Sequence, residues 1–221
     1  MGARRSQASL AAAIVAIPIA GCATADPAST PTSHDEPVSL ISAIVVGDSL
    51  AAGGVDDALE WDPGSWTENL DQDIEVIGGW RRDGATTAQM AQNLRSAGAD
   101  ALIMIGGTND VHQGVPATEI VANLHRIVDT AQADLIVVGA IPPSVHAEDA
   151  VLQLNAVIET EAVEQGWIWL DPWTDDRIDG EWRSGSSPDG VHASSDAYQR
   201  AGASISRVVI ANARRDGRAD P

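Results

Sequence analysis

The sequence predicts an α/β domain in which helices sandwich a parallel β-sheet. Short, unbroken apolar runs rich in β-branched residues alternate with segments whose apolar residues recur at helical spacing. Unbroken apolar strands are typical of a sheet that is covered on both faces, and alternating strands and helices favour parallel pairing. Residues 40–221 are enough for one domain with a sizeable core, and they contain no internal repeat.

Five apolar runs are predicted to be strands, namely 41–46, 74–77, 101–105, 135–140 and 167–170. Trp66 and Leu70 are expected on a first helix, with Trp66 in the core. The clearest helical pattern, 120–131, follows Pro116, and a second covers 151–158. The last helix is predicted to begin with Ser194 or Ser195 as its N-cap and to place Tyr198 on its apolar face.

The first 39 residues carry targeting information rather than a fold. Arg4 and Arg5 precede an apolar stretch, 10–20, that is too short to span a bilayer but suits the core of a signal peptide. We therefore predict a signal peptide over 1–21. Residues 22–39 are rich in Ala, Pro, Ser and Thr and lack an apolar period, which predicts a flexible tether before the domain at 40–221.

Cys22 is the only cysteine of the chain and directly follows Ile19-Ala20-Gly21. This segment resembles the lipobox of bacterial lipoproteins, which implies cleavage before Cys22 and lipidation of that residue. The alternative is ordinary cleavage after Ala23-Thr24-Ala25, which would release a soluble protein. Both alternatives predict a domain outside the cytoplasm, lipid-anchored to the bacterial cell membrane in the first case and secreted in the second.

The charge balance excludes some partners. Thirteen arginines and no lysine stand against 32 acidic residues, which gives a formal net charge of −19. Such a balance argues against nucleic acid as a partner and against charge-driven adhesion to anionic surfaces, so membrane contact is expected only through the lipid anchor. The acid-rich stretch 171–181 is interrupted by Arg177 and is interpreted as an exposed loop, and no metal is predicted.

Four polar blocks follow predicted strands or precede the last helix. They are Gly47-Asp48-Ser49-Leu50, Gly84, Gly107-Thr108-Asn109-Asp110 and Asp189-Gly190-Val191-His192. Ligands of parallel sheets bind beyond the carboxyl ends of the strands, which is where these blocks fall. A nucleophilic serine needs a base, an orienting carboxylate and N–H donors for the oxyanion. The blocks contain a candidate for each role.

Ser49 is the candidate nucleophile, His192 the candidate general base and Asp189 its orienting carboxylate. A turn of three residues can bring Asp189 against one imidazole nitrogen and leave the other facing Ser49. His34, His125 and His146 are expected on solvated surfaces, whereas His112 is a candidate for the pocket rim because it follows Asn109 by three residues. Asp48 and Asp110 are expected to hydrogen-bond the backbone of their turns.

In content and order these blocks resemble the SGNH (GDSL-type) hydrolases, a family of esterases and lipases, from about Ile41 to about Asn212. The resemblance implies a three-layer α/β/α sandwich with a five-stranded parallel sheet in flavodoxin-like order. It also implies three oxyanion donors: the backbone N–H groups of Ser49 and Gly84 and the side-chain amide of Asn109. Gly84 is preferred to Gly79 because the two threonines that follow it read as a helix start.

The sequence thus predicts an exported serine ester hydrolase that cleaves short-acyl esters of small molecules or glycans, with water as acceptor and no cofactor. An acyltransferase or deacylase acting on cell-surface glycans is one alternative, and a glycan- or lipid-binding lipoprotein without turnover is another. The complete set of site residues argues against binding without turnover. Trp80, Trp173 and Trp182 lie in predicted loops on the catalytic side, where an aromatic face could hold a sugar ring or a flat acyl ester, the alternative being packing within the loop. The oligomeric state stays open.

Overall fold

The computed structural model describes residues 39–52, 64–96 and 98–215. The predicted signal peptide, Cys22 and the tether up to residue 38 lie outside the described residues. Five strands form one parallel sheet in the order β2-β1-β3-β4-β5, which confirms the predicted fold class and strand order. They are β1 (Ile41–Gly47), β2 (Ile74–Arg81), β3 (Ala99–Ile105), β4 (Ala133–Gly139) and β5 (Ile168–Leu170).

The central strands are buried on both faces. Every residue from Ala43 to Val46 in β1 and from Ala101 to Ile105 in β3 is buried, although successive side chains point to opposite faces of the sheet. Both faces must therefore be covered, as the unbroken apolar runs predict. β2 lies at one edge of the sheet and alternates between buried or half-buried and exposed positions.

Six α-helices occur in the described part of the chain. They are α1 (Ser49–Ala52), α2 (Thr87–Asn93), α3 (Thr108–His112), α4 (Ala117–Ala131), α5 (Glu148–Gln165) and α6 (Ser195–Arg215). α4 begins directly after Pro116, as predicted. Ser194 is the N-cap of α6, because its Oγ accepts a hydrogen bond from the N–H of Ala197 at 3.4 Å. None of these helices has the length and apolarity that crossing a bilayer requires.

Trp66 does not lie on a regular helix, so that prediction is wrong. It precedes a single 3₁₀ turn, Thr67–Asn69, and the chain is extended again at Leu70. Its side chain is fully buried, as expected. A spacing of four residues between Trp66 and Leu70 fits a single helical turn as well as a longer helix. Here the chain makes one 3₁₀ turn and then continues into β2.

The segment after β5 differs from the expected exposed loop. It contains a hairpin of two short strands, β6 (Arg177–Ile178) and β7 (Glu181–Trp182). Asp176 is fully buried, forms an ion pair with Arg200 of α6 and accepts a hydrogen bond from Ser186 Oγ at 2.8 Å. A buried carboxylate with a partner from a distant helix anchors this segment to the domain.

Two of the three tryptophans expected in loops lie in strands, and the third, Trp173, lies in a turn. Trp80 lies in β2 and Trp182 in β7, both half-buried and packed against the core. Trp173 is fully buried, and its Nε1 donates a hydrogen bond to the carbonyl of Ala140 at 2.8 Å. The hypothesis that Trp173 contacts substrate is therefore wrong.

Candidate active site

The predicted site residues meet at the carboxyl ends of the parallel strands. Ser49 is the first residue of α1 and follows β1 after one residue, Asp48. The strand turns into this helix so tightly that a Cβ on Gly47 would lie 2.6 Å from the Cβ of Ala51. Glycine at position 47 thus allows a sharp strand-to-helix turn that presents Ser49 at the edge of the sheet.

Ser49, His192 and Asp189 form a continuous line of hydrogen-bonding atoms. Ser49 Oγ lies 2.9 Å from Nε2 of His192, and Nδ1 of the same ring lies 2.7 Å from Oδ2 of Asp189. Since Asp189 accepts from Nδ1–H, Nε2 is left to accept a proton from the serine hydroxyl. The geometry therefore suits proton transfer from Ser49 to His192.

The loop before α6 holds Asp189 in place. Its Oδ1 accepts the backbone N–H groups of Val191 and His192, both at 2.8 Å. Gly190, which lies between Asp189 and Val191, adopts a left-handed φ of 84°. Partial burial alone would raise the pKa of Asp189, but the hydrogen bonds from His192 and from these backbone groups hold it below its ordinary value. The carboxylate is therefore ionised at neutral pH.

Gly84 and Asn109 lie close to each other, the first in a turn and the second in a short helix. Gly84 is exposed in the turn between β2 and α2, and Asn109 belongs to α3, which follows β3. Asn109 Nδ2 donates to the carbonyl of Ala85 at 3.0 Å, which ties its amide to the Gly84 turn. Gly84 has a left-handed φ of 69°, which favours glycine there. Gly79, by contrast, lies within β2, where a Cβ would clash with the carbonyl of Val45.

Asp110 fixes the start of α2. Its two carboxylate oxygens accept from the backbone N–H of Thr87 at 2.9 Å and from Thr87 Oγ1 at 2.6 Å. Thr87 Oγ1 in turn accepts from Asn123 Nδ2 at 2.8 Å. Burial raises the pKa of Asp110 above its ordinary value, although the hydrogen bonds from Thr87 oppose this effect. Asp110 is thus a backbone acceptor, but its partner Thr87 belongs to α2 and not to the turn around Asp110, where the prediction placed the hydrogen bond.

Asp48 has an unusual environment for a carboxyl group. Its Oδ1 accepts from the N–H of Leu50 at 3.1 Å, as expected of a turn residue. The side chain is fully buried, and Oδ2 has no partner among the described residues. Burial raises the pKa of Asp48 to about 7, against the lowering effects of the Leu50 hydrogen bond and of His192 nearby. Apart from the position of Asp48 next to Ser49, nothing in the sequence indicates this burial.

His112, the last residue of α3, has a partner that the sequence did not predict. Its Nε2 lies 2.8 Å from Oγ of Ser144, a fully buried residue between β4 and α5. The ring of His146 lies 6.3 Å from that of His112. His125 pairs instead with Glu161 at 2.8 Å. No periodicity or motif marks Ser144 in the sequence.

Within the described ranges, no three His, Cys, Asp or Glu side chains are gathered as metal ligands would be. Ser49, His192 and Asp189 form one hydrogen-bonded set. The amide of Asn109 is tied to the Gly84 turn through the carbonyl of Ala85, so their N–H groups lie near each other. The arrangement thus offers a hydroxyl, a base that can deprotonate it and donors for a developing negative charge.

The parallel α/β fold and the family match described next identify the protein as a carboxylic ester hydrolase. The model of the GDSL-like lipase/acylhydrolase family matches residues 45–200, which is more than half of the chain. The chain therefore belongs to that family, and the resemblance found in the polar blocks is confirmed. No curated protein matches the sequence.

Solved structures share the fold at low sequence identity. A GDSL-like lipase from Bacteroides thetaiotaomicron has a TM-score of 0.61 and 15% identity, covering 78% of this chain and 89% of its own. A lipolytic protein of the G-D-S-L family from Veillonella parvula has a TM-score of 0.59 and 17% identity, covering 76% and 97%. A carbohydrate acetylesterase family member from Sinorhizobium meliloti has a TM-score of 0.56 and 19% identity, covering 77% and 97%.

Proposed function

We propose that this protein is an exported serine esterase that hydrolyses short-acyl esters, with Ser49 as its nucleophile. The observation that carries the proposal is the line of hydrogen-bonding atoms from Ser49 Oγ through both nitrogens of His192 to Asp189. A serine hydroxyl is a poor nucleophile unless a base removes its proton during attack. His192 is within reach to do so.

In the first half of the reaction, Ser49 Oγ attacks the carbonyl carbon of the ester and His192 Nε2 takes the hydroxyl proton. The ring then carries a positive charge, which the ionised carboxylate of Asp189 stabilises through Nδ1–H. The same hydrogen bond keeps the ring in the tautomer whose Nε2 can accept a proton. Asp189 is thus a positioning and electrostatic residue rather than a second proton acceptor.

The negative charge that develops on the carbonyl oxygen needs N–H donors that are already in place. We assign the backbone N–H groups of Ser49 and Gly84 and the side-chain amide of Asn109 to this role. One N–H of that amide is held by Ala85, and the second remains for the substrate oxygen. Fixed donors of this kind stabilise the transition state without reorganising during the reaction.

The tetrahedral intermediate collapses when His192 returns its proton to the leaving alcohol and the ester C–O bond breaks, leaving the acyl group on Ser49. His192 then removes a proton from water, whose oxygen attacks the acyl carbon. A second collapse breaks the bond to Ser49 Oγ, which regains the proton, and releases the carboxylic acid. These steps need no cofactor.

Exposed polar residues around the nucleophile favour small acyl groups and polar alcohols. The backbone N–H of Arg82 bonds the carbonyl of Gly47, so the exposed Arg81 and Arg82 adjoin the Ser49 turn. His112 and His146 are also exposed beside the site. A structural neighbour is named a carbohydrate acetylesterase family member, which supports an acylated glycan as one substrate class.

We also propose that the protein works outside the cytoplasm, attached to the membrane through lipidated Cys22. This part rests on the residues around Cys22 in the sequence. Two or more acyl chains give stable attachment. Expressed in a bacterial host, the protein should partition with membranes and Cys22→Ser should not, whereas a mature N-terminus at Asp26 in the medium would support secretion instead.

Hydrolysis of an ester panel by the purified protein tests the proposed activity. We expect turnover by the wild type, none above background by Ser49→Ala, and unchanged turnover by Ser96→Ala, a control at an exposed serine. Equal activity of Ser49→Ala would contradict the assignment. Adding sugar or alcohol acceptors separates hydrolysis from acyl transfer, because transfer yields a new ester instead of free acid.

A further inference from the structure

We propose that His112 and Ser144 are positioning residues. They hold α3, the helix that carries the proposed oxyanion donor Asn109, against the loop that carries Asp189 and His192. The proposal rests on the proposed function, because it assigns these residues to the geometry of that same site. Neither residue is in the polar blocks. Their pair links the side of the site that carries the oxyanion donors to the side that carries the base.

The first contact of this link is the pair itself, with His112 Nε2 2.8 Å from Ser144 Oγ. Ser144 is fully buried, so breaking the pair leaves its hydroxyl without this partner in a dry environment. A serine hydroxyl can donate to a neutral Nε2 or accept from a protonated one. The pair can therefore form with either ring tautomer of His112.

The second contact lies one residue further along the chain. The N–H of Val145 donates to the carbonyl of Gly190 at 3.0 Å, within the loop between Asp189 and His192. The two residues also pack closely, because a Cβ on Gly190 would lie 2.5 Å from Cγ2 of Val145. Ser144 thus contacts α3, and its neighbour Val145 contacts the loop between Asp189 and His192.

The opposite end of α3 is tied to the oxyanion donors. Asn109 bonds the carbonyl of Ala85, and Asp110 bonds Thr87, so α3 and the Gly84 turn move together. One helix turn later, His112 is the residue of α3 that reaches Ser144. This pair therefore sets how far the oxyanion donors stand from His192.

Loss of the link should affect the transition state more than substrate binding. A misplacement of about 1 Å in a catalytic constellation can lower the rate about a hundredfold. We expect His112→Ala to lower kcat roughly tenfold to a hundredfold while KM changes little. His112→Gln should retain most of kcat, because a glutamine amide can reach the position of Nε2 and still bond Ser144. His125→Ala, which removes an imidazole that pairs with Glu161 and not with the site, is the control and should leave kcat unchanged.

A double-mutant cycle shows whether His112 and Ser144 affect activity through their contact with each other or independently. If His112 and Ser144 act through each other, His112→Ala combined with Ser144→Ala should lose no more activity than the worse single variant. Two losses that multiply would overturn the proposal. Failure of His112→Gln to restore kcat, with the protein folded, would also overturn it.

Amide hydrogen exchange supplies a measurement that does not depend on activity. Exchange in 143–147 and 187–192 should be faster in His112→Ala and in Ser144→Ala than in the wild type, and unchanged in His125→Ala, whose side chain pairs with Glu161 outside both segments. Unchanged exchange in both segments together with unchanged kcat would refute the link. If His112→Ala does not fold, Ser144→Ala and His112→Gln provide the same comparison. A wild type that hydrolyses no ester refutes the proposed function alone, since exchange still tests the link.

Discussion

Asp110 and Thr87 lie 23 residues apart in the sequence and are joined by two hydrogen bonds, from the backbone N–H and from the hydroxyl of Thr87. One carboxylate thereby fixes the first residue of α2 to the first turn of α3. Because Gly84 and Asn109 flank these two positions, the contact also holds the proposed oxyanion donors together.

Asp110→Ala should therefore destabilise the domain by about 2 to 4 kcal/mol, because it leaves the buried N–H and hydroxyl of Thr87 without their acceptor. Urea unfolding measures the free energy. Asp129→Ala, at an exposed position of α4, is the control and should change it by less than about 0.5 kcal/mol. If both substitutions change the free energy of unfolding equally, the hydrogen bonds between Asp110 and Thr87 do not stabilise the domain.

The buried carboxyl of Asp48 predicts a pH-dependent difference in stability. Its pKa of about 7 in the folded protein, against an ordinary 3.8, means that the folded state binds the proton more tightly than the unfolded state. Ionisation of Asp48 therefore lowers stability as pH rises from about 4 to about 7, and the full loss persists above pH 7.

Asp48→Asn removes this titration while keeping the shape of the side chain. Relative to the wild type, its free energy of unfolding should rise between pH 4 and pH 8 by up to about 4 kcal/mol, the equivalent of a pKa change from 3.8 to about 7. Urea unfolding of both proteins at several pH values measures this difference. A difference that stays constant with pH would contradict a protonated Asp48 in the folded state.

Asn109→Ala tests the oxyanion assignment. Removing one fixed donor typically lowers kcat by roughly a hundred- to a thousandfold, and KM should change far less, because the donor acts mainly in the transition state. Steady-state kinetics with a short-chain ester measures both constants. Asn93→Ala is the control, since Asn93 is exposed and its side chain bonds only Gln89 of its own helix in the described contacts. A variant with wild-type kcat excludes Asn109 from this role.

Substrate preference should fall with acyl length. Each buried CH₂ contributes about 0.8 kcal/mol only where an apolar wall receives it, and the exposed Arg81, Arg82, His112 and His146 offer little such wall. Acetyl to butyryl esters should have higher kcat/KM than dodecanoyl esters, measured below the concentration at which the long esters form micelles. A steady rise with chain length would instead indicate an apolar channel and a lipase.

The sequence predicted the fold because unbroken apolar strands occur where both faces of a sheet are covered. It also predicted that Ser49, Asp189 and His192 would meet, because carboxyl ends of parallel strands share one edge of the sheet. Both inferences depend on features that are local in the chain. Strand ends and the short Asp189–His192 turn are therefore enough to account for the proximity of these three residues.

Contacts between distant loops could not be predicted in this way. Trp173 resembles a loop residue in sequence, but it is buried against Tyr198 and donates a hydrogen bond to Ala140, 33 residues away. In the sequence Asp176 resembles a solvated acid, whereas in the structure it is buried and forms an ion pair with Arg200 of α6. Ser144, the partner of His112, carries no local signal at all. Each of these positions is decided by tertiary packing, which neither periodicity nor motif spacing records.

Mass spectrometry of the protein after treatment with a fluorophosphonate probe tests the central assignment most directly. The probe phosphonylates a serine hydroxyl that a neighbouring base activates, so the adduct should lie on Ser49 and on no other serine. Ser49→Ala should not react, and His192→Ala should react far more slowly, while Ser96→Ala should react as the wild type does. An adduct on a different serine, with undiminished esterase activity in Ser49→Ala, would contradict Ser49 as the nucleophile.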